Sequence, residues 1–118
     1  MDGIKRISPN RRFSEGVIHN GVVYVSGQVD YQKHRGIGDQ TRAVLRLLDE
    51  VLESAGSDKH HLLHVNIYVA NVGDIPGMNV AWEEWVSKEE PPARTVLQSD
   101  FADMGWLVKI SAVAAVVL

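Results

Sequence analysis

The chain has 118 residues, no cysteine, and 12 basic against 15 acidic side chains, for a net charge of −3. This length suits one domain with a core that needs no covalent staples, so a single domain over residues 1–118 is expected. The lack of cysteine excludes disulfides, thiolate metal centres and cysteine nucleophiles, and an acidic chain without a basic block points away from nucleic acid as a partner.

Residues 1–6 carry no apolar run behind their charges, and the apolar residues 110–118 are too few to span a bilayer. A cytoplasmic protein with no membrane partner is therefore expected. Residues 4–7 read as a short strand closed by the turn chemistry of Ser8-Pro9-Asn10. Val17-Ile18-His19 and Val22-Val23-Tyr24-Val25 flank Asn20-Gly21, the pair that best supplies the two positive φ values of a tight hairpin turn. The second of these strands runs into Ser26-Gly27-Gln28, where Gly27 either ends it or lets another group approach the backbone. After a polar loop, Asp39 reads as the cap of a helix with the apolar stripe Val44, Leu47, Leu48, Val51, Leu52 and Ala55, and Gly56 stops it. Residues 60–71 read as a strand with Leu63, Val65, Ile67 and Val69 on one face and His64, Asn66 and Tyr68 on the other. Gly73-Asp74 opens a second helix, with Pro76 in its first turn and Met78, Ala81, Trp82, Trp85 and Val86 turned inward. A strand over 94–99, a turn at Asp103-Met104-Gly105 and a strand over 106–117 complete the chain.

The order β-β-β-α-β-α-β-β predicts an α+β fold, one mixed sheet with two helices on one face. The last strand is apolar on both sides, with Val108, Ile110, Ala112 and Ala114 on one and Leu107, Val113, Ala115 and Val117 on the other. Two helices cover one face of a six-stranded sheet, so the second apolar face predicts association through the sheet.

Few residues carry chemistry. His61 and His64 point to opposite faces of a strand, and no carboxylate adjoins them in sequence, so no metal is expected. Gly36-Ile37-Gly38-Asp39 lacks the spacing and lysine of a phosphate loop. No Gly-x-Ser-x-Gly is present, and Ser26 has no local base. Two cations stand apart. Arg94 follows Pro91-Pro92, whose fixed φ values hold it rigidly at a strand start. A forked, always-charged donor there suits a carboxylate, although a solvated arginine has the same sequence. Lys109 interrupts an apolar strand with Ser111 on the same side, so it is paired, snorkelling or functional.

These residues resemble the Rid/YjgF family of small trimeric proteins, whose founding members are enamine/imine deaminases. The resemblance covers nearly the whole chain. It lies in Tyr24-Val25-Ser26-Gly27-Gln28, in Gln40-Thr41 with the helix that follows, in Asn79, and most specifically in Pro92-Ala93-Arg94-Thr95. Ala81-Trp82-Glu83-Glu84-Trp85-Val86 and Val113-Ala114-Ala115-Val116 are similar to the YoaB-like branch. The resemblance implies a chorismate-mutase-like homotrimer with clefts between subunits and a small carboxylate metabolite as partner; no cofactor is expected. It makes Arg94 the carboxylate anchor, with Ser26, Gly27, Phe13 and Asn79 lining the same cleft. Phe13 stands where RidA-type members carry tyrosine, and Lys109 where they carry glutamate. Lys109 is then either a catalytic proton carrier, its pKa lowered by burial and by a nearby Arg94, or a second anion contact in a non-catalytic binding module.

Overall fold

Asn20 and Gly21 adopt φ of 52° and 76°, and the expected hairpin forms around them, with His19 opposite Val22. The computed structural model describes residues 3–117. Its strands are β1 (Lys5–Ile7), β2 (Gly16–His19), β3 (Val22–Gln28), β4 (Leu62–Val69), β5 (Ala93–Gln98) and β6 (Val108–Ala115). The helices are α1 (Ile37–Ser54) and α2 (Ile75–Trp85). The element order is the one predicted. The sheet runs β1-β2-β3-β6-β4-β5, and only the β4–β5 pair is parallel. A parallel pair needs a crossover, and α2 supplies it.

The core lies between the sheet and the two helices. Val23, Val25, Val65, Ile67, Val69, Val108, Ile110, Ala112 and Ala114 face Val44, Leu48, Leu52, Met78 and Trp82, all buried. Trp85 donates through Nε1 to Asp49 Oδ2 at 2.9 Å, tying α2 to α1. The molecule is 20 Å thick along its shortest axis, the depth of a sheet with a single helix layer.

Local differences from the sequence reading have physical causes. Gly36 takes φ of 83°, a value only glycine adopts freely, so α1 begins at Ile37 and Asp39 lies in its first turn instead of capping it. Leu45 is fully buried and Leu47 only partly, because α2 packs beside Leu45 and rotates the covered stripe toward it. Residues 59–61 form a 3-10 turn capped by Asp58, so β4 starts at Leu62. The β4–β6 register shifts between Leu62 and His64. That irregularity buries Leu62 and leaves Leu63 50% exposed, against the expected inward position.

The uncovered face also differs from expectation. Leu107 falls before β6 and Val117 after it. The face carries Val113 and Ala115 among Tyr24, His64, Asn66, Tyr68, Lys109 and Ser111, and is therefore mixed rather than apolar. Tyr24 is 51% exposed and lies opposite Val113.

Candidate functional site

β5 forms one edge of the sheet, and Arg94 is its second residue. Parallel register sets Arg94 beside Val65, so its side chain leaves on the helix face. There Nη1 donates to Asn79 Oδ1 at 2.9 Å, and Cζ lies 5.5 Å from the centre of the Trp82 ring. Asn79 and Trp82 are three apart on α2 and share one side of it. Trp82 is buried, so the indole is a fixed plane under an exposed guanidinium. Among the described residues no carboxylate lies within ion-pair distance of Arg94. The guanidinium is oriented on one side and open on the other.

Lys109 leaves β6 on the opposite face, paired with Tyr68 of β4. The β3–β6 register shifts between Val25 and Gln28, so Ser26 and Gly27 together oppose Ser111 as a bulge. A Cβ on Gly27 would stand 2.8 Å from Lys109 Cδ and 2.9 Å from its Cγ. The missing side chain leaves the space that the lysine stem occupies. Nζ ends 5.3 Å from the centre of the Tyr68 ring and 5.6 Å from that of Phe101. No carboxylate among the described residues pairs with it. The lysine thus snorkels with its ammonium over two aromatic faces.

Ser26 and Phe13 form a third group. Ser26 Oγ donates to the Ser14 carbonyl at 2.5 Å, and its N–H donates to the Glu15 carbonyl at 2.9 Å. Asn10 Oδ1 accepts from the backbone N–H of Arg12 and of Phe13, which fixes the turn and leaves the Phe13 ring 45% exposed. Gln28 donates to Glu15 Oε2 at 3.1 Å beneath the same loop.

One chain thus brings together Arg94 with Asn79, Lys109 with Gly27, and Ser26 with the loop bearing Phe13. It does not bring Arg94 to Lys109, which lie on opposite faces of the sheet. Strand register therefore keeps the two cations apart within one chain. Sequence reasoning assigned Trp82 to packing alone and passed over Tyr68 and Phe101. Strand alternation had already set Tyr68 on the non-core face, which was the available signal.

The loops behind the Lys109 face are held firmly. Gln40, fully buried, donates to the carbonyls of His34 (3.0 Å) and Gly105 (2.7 Å) and accepts from the Leu107 N–H (2.9 Å). Lys33 pairs with Asp103 at 2.6 Å, and Tyr31 meets Trp106 edge to face at 5.8 Å. Two of the histidines are engaged by nearby carboxylates. His61 Nδ1 is 2.8 Å from Asp58 and His34 Nδ1 is 2.8 Å from Asp30. Among the described residues no cluster of three or more metal-ligating side chains is present, and no helix is long and apolar enough to cross a membrane.

Sheet, helix layer, Arg94 and Lys109 define a two-layer α+β protein with an arginine at its open edge and a lysine on its open face. Residues 3–116 match the family described as endoribonuclease L-PSP. A RutC family protein of Haemophilus ducreyi is 37% identical over 113 residues, covering 96% of this chain and 97% of its own. The RutC family protein YoaB of Escherichia coli is 36% identical over 113 residues, covering 96% and 98%. The crystal structure of a YjgF family member from Neisseria meningitidis superposes with a TM-score of 0.96 at 33% identity, over 99% of this chain and 98% of that one. The chain belongs to the Rid/YjgF family.

Proposed function

We propose that this protein is a homotrimer that binds small 2-imino or 2-keto acids through Arg94 and hydrolyses imines or enamines to keto acids and ammonia. The observation that carries this reading is the Arg94 guanidinium, set on Trp82, held by Asn79, and without an acid partner among the described residues. A planar fork mounted in this way meets a carboxylate with two parallel hydrogen bonds. With the carboxylate gripped, water adds to C2 of the imine, the nitrogen takes up protons, and the C–N bond breaks to release ammonia. Imines hydrolyse readily, so orientation supplies a useful part of the rate. Lys109 stands ready to pass a proton, and Ser26, Gly27, Phe13 and Asn79 line the cleft. Association through the open sheet face brings these groups from neighbouring copies to one place, within a single domain and in the cytoplasm.

The test generates imines in situ with an amino-acid oxidase and traps the remainder with semicarbazide. Wild type is expected to divert flux from semicarbazone to keto acid for at least one of a dozen amino acids. Failure on all of them would retire the enzymatic reading, and activity that survives Arg94→Ala would move the site elsewhere.

A second reading, a non-catalytic metabolite-binding module of the same fold, is favoured by one observation: the position that carries glutamate in RidA-type members is Lys109, seated on aromatic rings. The nuclease named in the family description requires a surface for a polyanion, which a net charge of −3 opposes.

A further inference from the structure

We propose that Lys109 is a specificity-determining anion subsite, and that the ligand class is a 2-keto or 2-imino acid bearing a second carboxylate. This rests on the reading above in one respect: Arg94 grips the first carboxylate. The second anion follows from how the lysine is mounted. A surface lysine ordinarily samples many rotamers, which weakens any ion pair it makes. The Lys109 stem instead lies in the space vacated by the Gly27 side chain, across the bulge at Ser26–Gly27. Its ammonium lies over Tyr68 and Phe101, 5.3 and 5.6 Å from their ring centres. The rings compensate part of the charge through their negative faces but accept no full hydrogen bond, so the donors stay available to an anion. Leu97, opposite Tyr68 in register and 41% exposed, adds an apolar wall on the same face. This surrounding suits the methylene chain of a diacid that ends in a carboxylate at Nζ.

The two cations lie on opposite faces of one sheet, so a single ligand meets both only where the β5 edge of one copy reaches the open face of another. The site is therefore incomplete in a single chain, and a partner copy contributes one of its two anion contacts.

Calorimetric titration at low salt with 2-oxopentanedioate and 2-oxopentanoate, which share a carbon chain and differ in the terminal carboxylate, tests this. Wild type is expected to bind the diacid at least about tenfold tighter, the scale of a charge-assisted contact. Lys109→Met is expected to bring the affinity ratio close to one, and Lys109→Arg to retain a preference. Gly27→Ala keeps the charge but displaces the stem, and is expected to lower the ratio as Lys109→Met does. Equal wild-type affinities for the two acids, or a ratio that survives Lys109→Met, would overturn the proposal. Arg94→Ala separates the two readings. Loss of affinity for both acids upholds the anchor, whereas unchanged affinity for both sinks the anchor while the wild-type ratio still reports on Lys109.

Discussion

The Arg94 guanidinium carbon lies 5.5 Å from the centre of the Trp82 ring, so a residue of the core also orients the exposed cation. Removing that plane has two separable effects. Trp82→Ala is expected to cost about 3–5 kcal/mol of stability through the cavity it opens, measured by urea denaturation. Trp82→Phe keeps a ring and is expected to remain folded, yet to raise KM for a carboxylate substrate a few-fold through weaker stacking. A stable Trp82→Phe variant with unaltered KM would confine Trp82 to packing.

Arg94→Ala removes an exposed side chain from an edge strand and is expected to leave the urea midpoint nearly unchanged. Its kcat/KM for imine hydrolysis is expected to fall about 100-fold, the loss of a bidentate charge-assisted contact. Stability and catalysis measured on the same preparation separate the two.

Gln40 joins the loop before α1 to the segment entering β6 through three hydrogen bonds. Gln40→Leu preserves bulk but strands the Leu107 N–H and the carbonyls of His34 and Gly105. A loss of about 3 kcal/mol is expected. Hydrogen exchange at Leu107 is expected to rise more than at Ile67, which lies in the core within β4.

Burial pushes the Asp30 carboxyl up, but the His34 and Gln32 backbone N–H groups and the His34 ring outweigh it and hold the carboxyl below the ordinary carboxylate value. A depressed folded-state pKa stabilises above the unfolded value of about 3.9, and that contribution disappears as pH falls through the folded value. Asp30→Asn is therefore expected to be less stable than wild type at pH 6, with the gap narrowing below pH of about 4. Urea midpoints across this range read it directly. A constant gap would show that hydrogen bonding, and not charge, holds the loop.

Tyr24 lies on the open face, half exposed and opposite Val113. If copies associate there, light scattering at micromolar concentration gives the mass of three chains, and Tyr24→Arg gives that of one. A wild-type monomer would remove the interface cleft and the shared site with it.

Much of this architecture was legible in the residues. The Asn20-Gly21 turn, the period of α1, the glycine that ends it and the alternation of β6 are local patterns, and each formed as the pattern indicates. Leu63 and Leu47 were not legible in the same way. A bulge leaves no periodic trace, and the phase of a buried stripe depends on which neighbour packs against it. The motif around Arg94 marked the anchor candidate, but nothing in the sequence linked it to Trp82.

The sequence by itself determined the order of elements, because periodicity and turn chemistry act over a few residues, while its motifs carried the resemblance to the family and marked the two unusual cations. Only the tertiary structure decided where those cations point. Arg94 follows Val65 onto the helix face through a parallel register, and Lys109 follows Tyr68 onto the open face through an antiparallel one. Side chains alternate at every residue of a strand, so the face each cation reaches is fixed by long-range pairing that no local stretch encodes.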